Sequence, residues 1–306
     1  MKDITDYAEI FESLVEQTAE YLVKNNLKAQ ILGISGGIDS TVVAAICHEV
    51  AKRTGIPLIG RSLPSKYNKE GETTTADLVG KAFCNDYKVH NINHTYHTYL
   101  SEIILSETGD VYYDVDYDGN ITDVKDDFLS PISKGNIQAR LRMIYLYNLA
   151  SIHGGLVMDT DNLTENNLGY FTIHGDVGDF NPIGGLWKTE VFELAIWLCG
   201  HYGEECDQFT AIMRSLELEP TAGLGITDSD LEEIGANNWF QVDSILKDIL
   251  RWKFWNETCS WKEREHPLED YLKEHKIKNT PYEVIVRVAT RHFKSEFKRK
   301  QLPIKL

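Results

Sequence analysis

A serine- and glycine-rich turn stands between an apolar run and a segment with helical periodicity. It comprises Gly33, Ile34, Ser35, Gly36, Gly37, Ile38, Asp39 and Ser40. The first amides of a helix have no intrahelical partner, and the two glycines let an anion approach the backbone closely. Ser35 and Ser40 add hydroxyl donors, and Asp39 offers a carboxylate to Mg²⁺ beside phosphates. The turn predicts a phosphate-binding loop; the alternative is an ordinary glycine-rich turn.

A second loop dense in oxygen ligands follows the apolar run 156–158. It contains Asp159, Thr160, Asp161 and Glu165. Carboxylate and hydroxyl oxygens suit a hard cation such as Mg²⁺ near phosphates, although a solvated acidic turn is the alternative. The glycine-rich segment 169–190 after it has no periodicity but many aromatic residues, and irregular connections of about this length are usually functional.

The apolar patterns alternate between strands and helices, which predicts an α/β fold with a doubly wound, mainly parallel sheet flanked by helices and a helical C-terminal part. Strands are predicted at 29–34, 57–63, 87–92 and 156–158, and helices at 4–26, 40–53, 72–84, 131–153 and 188–199. No boundary divides the chain, so 1–306 is expected to form a single domain. Ligands bind beyond the carboxyl ends of such strands, which makes Arg61 a candidate for the nucleotide pocket; an exposed arginine is the alternative.

The segment 107–128 is expected to be an inserted β-hairpin. Asp114, Asp116 and Asp118 before Gly119 copy the first half of an EF-hand calcium loop. However, Lys125 stands at the twelfth loop position, where a bidentate glutamate is needed, and the flanking residues alternate as in strands. A hairpin is therefore favoured over a calcium site.

Composition limits the possible functions. The 306 residues carry a net charge of −16, with 42% hydrophobic residues and a mean hydropathy of −0.31. The negative charge argues against nucleic-acid binding, and the lack of a long apolar run argues against a membrane protein. Five scattered cysteines indicate a reducing cytoplasm. The basic stretch 291–300 is either an anion-binding element or a solvated tail.

In order and spacing, these motifs resemble the ammonia-dependent NAD synthetases of the N-type ATP pyrophosphatase superfamily. The matching residues are Gly33–Gly37, Lys134-Gly135-Asn136, Ala139-Arg140, Arg142-Met143, Asp159-Thr160-Asp161, Glu165, Gly175-Asp176, Asp179, Asn181-Pro182, Lys188-Thr189, Pro220-Thr221-Ala222, Lys298-Arg299 and Pro303. The resemblance implies an adenine nucleotide α-hydrolase-like fold. It also implies a two-step reaction, in which the carboxylate of deamido-NAD attacks ATP to form an acyl-adenylate and pyrophosphate, and ammonia then displaces AMP to give NAD.

The resemblance also assigns roles to single residues. Residues 33–40 would hold pyrophosphate, Asp39 and Glu165 would bind Mg²⁺, and Thr160, Lys188 and Thr221 would contact ATP. The deamido-NAD contacts would be Arg140, His174, Asp179 and Lys298; His174 stands, with Ile173, where the bacterial pattern has a lysine. Lys188 would stabilise phosphoryl charge, and Asp176 would position or deprotonate ammonia.

Two other functions remain as alternatives. One is another amidating or thiolating ATP pyrophosphatase, and the other is a non-catalytic nucleotide-binding protein. The synthetase-like region uses the 306 residues, so free ammonia is the expected nitrogen donor. The resemblance further implies a homodimer.

Overall fold

A parallel sheet forms the centre of the computed structural model, which describes residues 4–125, 127–219, 229–257, 266–275, 277–278, 280–301 and 304–305. Its four strands are β1 (Gln30–Gly33), β2 (Leu58–Ser62), β3 (Asp86–Val89) and β6 (Leu156–Val157), in the order β3-β2-β1-β6. Every pairing in this sheet is parallel. The carboxyl ends of β1, β2 and β6 therefore lie at one edge, with Gly33 paired to Arg61.

Helices cover both faces of the sheet, which confirms the doubly wound α/β prediction. The helices are α1 (Ile4–Lys24), α2 (Ile38–Thr54), α3 (Glu70–Phe83), α4 (Asn93–Thr108), α5 (Pro131–His153), α6 (Leu163–Leu168), α7 (Lys188–Tyr202), α8 (Asp207–Glu217), α9 (Asp230–Ile234), α10 (Trp239–Glu257), α11 (Pro267–Glu274) and α12 (Tyr282–Lys294). Successive residues of β1 pack into different hydrophobic clusters, one on each face of the sheet. Leu32 packs in the cluster formed with α1, α2, α3, α7 and α8, whereas Ile31 packs with Met143 and Leu146 of α5.

The C-terminal helices form a second apolar cluster beside the sheet. Val242 and Ile245 of α10 pack with Ile285 and Val288 of α12, and the cluster includes Leu168 of α6. The predicted helical C-terminal part is thus confirmed. Its apolar cluster also includes α6, the helix that follows the β6 loop. None of the helices in the described ranges is both long and apolar enough to cross a bilayer.

Two antiparallel strands, β4 (Tyr112–Val115) and β5 (Ile121–Lys125), form the hairpin predicted in segment 107–128. The Asp116 carboxylate accepts hydrogen bonds from the amides of Asp118 and Asn120, each at 2.9 Å, because these amides close the turn. Strands rather than helices flank the acidic loop, so the EF-hand alternative is wrong. Whether the hairpin is an insertion remains a prediction. Helix α4, which packs against β5, was not predicted from the sequence.

Two further short strands lie beyond the main sheet. Strand β7 (Phe180–Asn181) pairs in parallel with β8 (Ile304–Lys305), and Met158 bridges to Phe180. The segment 169–190 therefore contains a strand of two residues, and its Phe180 is fully buried in the main core. This pairing ties the segment to the edge of the sheet where β6 ends.

Candidate active site

The glycine-rich turn has the geometry of a phosphate-binding loop. Gly36 has φ +86°, and a Cβ added there would lie 2.5 Å from the Glu72 carbonyl oxygen. Only glycine tolerates both conditions without strain. Ser35 Oγ lies 2.9 Å from Ser40 Oγ and accepts a hydrogen bond from the Gly37 amide at 3.2 Å. The helix begins at Ile38 rather than at Ser40 as predicted, because Gly37 serves as the N-cap residue.

This loop opens into a cavity of about 290 Å³ at the carboxyl end of the sheet. One part of the lining is apolar and includes Leu63, Met143, Leu146, Val157 and Met158. The other part is polar and carries most of the predicted ATP and metal residues: Gly33, Ile34, Ser35, Gly37, Ile38, Asp39, Ser40, Arg61, Thr160, Glu165 and Lys188. Asp176, predicted to act on ammonia, also lines this cavity. An apolar slot beside a phosphate loop fits a nucleotide whose base is buried and whose phosphates meet backbone amides.

Lys188 lies between two carboxylates in the polar part. Its Nζ is 2.6 Å from Asp39 Oδ2 and 2.8 Å from Glu165 Oε1, and the side chain is 1% exposed. Burial alone would lower the pKa of Lys188. The two carboxylates raise this pKa by more than burial lowers it, so the net shift is upward and the amine stays charged. The Trp239 ring centroid lies 5.0 Å from the same Nζ. A buried lysine with these neighbours places a permanent positive charge in the cavity.

Asn162 holds the same two carboxylates from the other side. Its Nδ2 donates to Asp39 Oδ1 at 2.8 Å, and its backbone amide donates to Glu165 Oε2 at 3.2 Å. Burial and the Asp39 charge raise the pKa of Glu165 to about 8, opposed by Lys188. Each carboxylate therefore has one oxygen on Asn162 and the other on the lysine.

Two further carboxylates, those of the buried Asp161 and the half-buried Asp176, lie where the β6 loop meets segment 169–190. Burial, followed by the charge of Asp159, raises the pKa of Asp161 well above its usual value. In the described part of the chain, Asp161 Oδ2 is buried without a hydrogen-bond partner. Asp176 Oδ1 accepts a hydrogen bond from the Thr172 amide at 2.8 Å, yet burial raises the pKa of Asp176 to about 7. Asp176 is thus a carboxylate that exchanges protons near neutral pH.

The donor set fits a magnesium ion. Across the described ranges, no group of three or more histidine, cysteine or acidic side chains is placed to hold a metal alone. Mg²⁺, however, usually takes one or two protein carboxylates and completes its shell with water and phosphate oxygens. Asp39 and Glu165 provide that pair, already converging on one cation, and the buried Asp161 oxygen lies in the lining of the same cavity.

Arg61 lines the cavity but is not an exposed arginine. The residue is 3% exposed, and its Nη2 lies 2.7 Å from Asp86 Oδ2. Its Nη1 donates to the carbonyl oxygens of Gly60 and Asp86. The exposed-arginine alternative is therefore wrong, and the guanidinium meets the nucleotide pocket with its charge already paired.

The residues predicted to contact deamido-NAD lie outside the lining of this cavity. Arg140 and His174 are exposed, and Arg140 Nε donates to the Ile173 carbonyl at 3.3 Å. His174 has φ +60°, a left-handed conformation that is uncommon away from glycine. These two residues lie together on the surface beside α5, and their substrate role remains a prediction.

Asp179 and Lys298 have backbone partners. Asp179 Oδ2 accepts a hydrogen bond from the Val157 amide at 2.9 Å, and Lys298 Nζ donates to the carbonyls of Gly169 and Phe171 at 2.8 and 2.6 Å. Burial lowers the pKa of Lys298. Both side chains stabilise segment 169–190 in this structure, and their predicted contacts with deamido-NAD remain predictions. Thr221 lies outside the described residues.

Three functional candidates were missed from the sequence. Arg142, a residue of the matched motifs to which no role was assigned, lines the cavity, and burial lowers its pKa to about 10. Its Nε donates to the Leu63 carbonyl at 3.0 Å. Asp230 also lines the cavity and accepts a hydrogen bond from the Tyr170 hydroxyl at 2.9 Å. Asp243 accepts hydrogen bonds from the first turns of α6 and α7, the helices that carry Glu165 and Lys188. Of these three residues, only Arg142 belongs to a motif that was matched in the sequence.

A parallel sheet with a phosphate loop at the end of its first strand, facing a lysine and paired carboxylates, defines a nucleotide-binding α/β enzyme. A family model described as NAD synthase matches residues 10–302. The chain therefore belongs to the NAD synthase family and is a ligase that forms a carbon–nitrogen bond.

Two relatives agree with this assignment, and a solved structure with a different description has a similar fold. The NH(3)-dependent NAD(+) synthetase of Thermoplasma acidophilum is 30% identical over 273 residues, which is 88% of this chain and 95% of the relative. The enzyme of the same description from Pyrococcus furiosus is 30% identical over 296 residues, covering 96% and 94% of the two chains. A solved structure of NMN synthetase from Francisella tularensis has a TM-score of 0.68 and 25% identity, with 99% of each chain covered.

Proposed function

We propose that this enzyme amidates deamido-NAD with ammonia, using ATP and releasing AMP and pyrophosphate. The observation that carries the proposal is the single cavity in which the phosphate loop, the Lys188 cluster and Asp176 lie together. The family assignment supports the same reaction, because relatives about 30% identical over most of the chain are NH(3)-dependent NAD(+) synthetases.

The residues support an adenylation followed by ammonia attack. The apolar part of the cavity takes the adenine base, and the amides at the start of α2 bind the β- and γ-phosphates that leave as pyrophosphate. Mg²⁺ bound by Asp39 and Glu165 would neutralise phosphate charge. The Lys188 ammonium stabilises the negative charge that develops on the transferring phosphoryl oxygens. Asp176 accepts a proton from ammonia when the amine attacks, since its raised pKa is suited to proton transfer near neutral pH.

A mononucleotide substrate is a second candidate. The Francisella tularensis neighbour is an NMN synthetase and covers 99% of this chain. Arg140, His174 and Asp179 are exposed and lie outside the cavity, so the described part of one chain does not enclose the far half of a dinucleotide at these residues. The acid precursor of NMN would place the same nicotinate carboxylate beside ATP without needing those contacts.

One assay tests both candidates. Purified protein is incubated with ATP, Mg²⁺ and ammonium plus either deamido-NAD or nicotinate mononucleotide, and amide product, AMP and pyrophosphate are measured together. Equal formation of the three products with deamido-NAD, and a much lower kcat/KM with the mononucleotide, is the expected result. A preference for the mononucleotide would reverse the substrate assignment. No ATP cleavage with either acid by folded protein would refute the ligase assignment of this cavity.

We further propose that the protein is a homodimer assembled through α5. The face of α5 opposite the core exposes Ile144, Tyr147 and Ile152 by 58%, 40% and 73%. A helix that is apolar on both faces needs a second partner surface. Arg140 lies on the same exposed face, so a partner there would also enclose the predicted dinucleotide contacts.

Light scattering tests the dimer with two variants. Ile144→Glu places a charge in the proposed interface and should give a monomer, whereas Ile196→Glu alters an equally exposed isoleucine on α7, which is 62% exposed, and should leave the dimer intact. A dimeric Ile144→Glu protein would refute this interface.

A cytoplasmic location is proposed as well, supported by the free thiols of Cys47, Cys84, Cys199 and Cys206.

A further inference from the structure

The two carboxylates assigned to Mg²⁺ already share one cation, the ammonium of Lys188. The oxygens that it contacts are Asp39 Oδ2 and Glu165 Oε1, at 2.6 and 2.8 Å. The opposite oxygens, Asp39 Oδ1 and Glu165 Oε2, are held by Asn162. The pair is therefore preformed, with the two oxygens that Asn162 does not hold directed at the same cation.

A metal ion ligated by the pair would need the same two oxygens. A divalent ion and the ammonium together would carry three positive charges against two negative charges at contact distance, in a region where water screens charge poorly. The buried ammonium and the metal therefore compete for this position. ATP would relieve this competition, because its phosphates offer the ammonium another set of anionic oxygens and leave the carboxylates to the metal.

The lysine can move without its helix moving. Lys188 is the first residue of α7, and its backbone amide donates to Thr164 Oγ1 at 2.8 Å, which fixes the main chain. The flexible four-carbon stem allows the ammonium to change partners while the backbone stays in place. Only the end of the side chain has to move from the carboxylates to a phosphate at the neighbouring loop.

We propose that Lys188 occupies the metal position between Asp39 and Glu165 until ATP arrives, and that it then moves to the phosphates as the metal takes over the carboxylates. This inference rests on the metal and ATP assignments of the proposed function. Its consequence is that nucleotide-free protein binds divalent metal weakly, so metal and ATP bind together.

Manganese provides a direct test, because free Mn²⁺ is measured by electron paramagnetic resonance without any turnover. Mn²⁺ is titrated into nucleotide-free wild type, Lys188→Met and a matched control, Lys247→Met. Lys247 also has its Nζ 5.0 Å from a tryptophan ring centroid, that of Trp187, and is the control for loss of a lysine over an indole ring.

We expect Lys188→Met to bind Mn²⁺ at least about tenfold more tightly than wild type, since removal of the ammonium leaves two facing carboxylates unpaired. Lys247→Met should match wild type. Adding Glu165→Gln to Lys188→Met should abolish the gain. With α,β-methylene-ATP, which resists α–β cleavage, Mn²⁺ binding by wild type should tighten. Thermal unfolding establishes that each variant is folded, and Lys188→Gln replaces Lys188→Met if the latter does not fold.

Two results would overturn the inference. One is a folded Lys188→Met or Lys188→Gln protein that binds Mn²⁺ no more tightly than wild type. The other is analogue-dependent Mn²⁺ binding that survives Asp39→Asn, which would refute the metal assignment itself. Failure of the proposed reaction is detected separately, because absence of amide product from wild type leaves the metal titrations unchanged.

Discussion

Replacing Asp176 by asparagine should stabilise the protein while removing its activity. Asparagine has the same shape, and its oxygen can keep the hydrogen bond from the Thr172 amide. The folded state raises the pKa of Asp176 from 3.8 to about 7, mainly through burial. The unfolded chain therefore ionises this carboxyl more easily than the folded protein does. This unfavourable contribution is absent below pH 4, grows as the pH rises, and is complete above pH 7.

The magnitude follows from the shift. A difference of about 3 pKa units corresponds to about 4 kcal/mol, which is an upper limit. The carboxylate faces an open cavity and interacts with other acids, so we expect about 1 to 2 kcal/mol. For a chain of 306 residues, that is about 1.5 to 3 °C in Tm. The gain should appear at pH 8 and shrink towards pH 4.

Two assays check this prediction. Thermal unfolding of wild type and Asp176→Asn is followed at pH 8, 6 and 4, with Asp118→Asn, an exposed carboxylate in the turn between β4 and β5, as the control that should not change Tm. Amide formation should fall by about 10² to 10⁴-fold, the usual contribution of a general base. Exchange of pyrophosphate into ATP in the presence of deamido-NAD should continue, because adenylation does not need Asp176. An Asp176→Asn protein that is less stable at pH 8, or that forms NAD at the wild-type rate, would refute this reasoning.

Other predictions concern the phosphate loop and the support of Lys188. Gly36→Ala should lower stability by about 1 to 3 kcal/mol and abolish ATP binding, since its Cβ would lie 2.5 Å from a carbonyl oxygen of α3, whereas Gly37→Ala, with its nearest contact at 3.4 Å, should fold normally. Calorimetric titration with ATP and thermal unfolding compare the two, and equal behaviour would contradict the strain argument. Asp243 accepts hydrogen bonds from the Thr164 and Thr189 hydroxyls at 2.5 and 2.7 Å, so Asp243→Asn should lower the free energy of unfolding by about 1 to 3 kcal/mol and raise the KM for ATP. Denaturant unfolding and steady-state kinetics measure both effects; an unchanged KM would limit Asp243 to a structural role.

The fold was predictable where hydrophobic periodicity is strong. Strands β1, β2 and β6 fall within the runs predicted from apolar patterns, and α5 has the predicted bounds Pro131–His153. Strand β3 (Asp86–Val89) only overlaps its predicted run, 87–92. Helix α4 was missed because polar residues such as Asn93, His94 and Thr95 begin it, and its apolar face is covered by the hairpin rather than by the sheet. Helix α6 was missed because its six residues are shorter than two turns of apolar pattern.

The site was predictable where a local motif supplies the chemistry. The phosphate loop needs only neighbouring residues, so its glycine and serine spacing is visible in the sequence. Contacts such as Asp243 with Thr164, or Trp239 with Lys188, join residues about fifty or more positions apart. Such pairs depend on how α10 packs against α6 and α7, and no local pattern encodes that packing.

The position of Lys188 depends on both halves of the chain. Its carboxylate partner Asp39 lies in the first turn of α2, next to the sheet, whereas the Trp239 ring beside it begins α10 in the C-terminal helices. The helical cluster encloses the lysine on the side away from the phosphate loop, and the low exposure of the ammonium follows from that cover. Because a buried charge is held mainly by its partners, small changes in how α10 packs will alter how firmly Lys188 stays on the carboxylates. Substitutions in the C-terminal core should therefore affect metal and ATP binding more than their distance from the phosphate loop suggests.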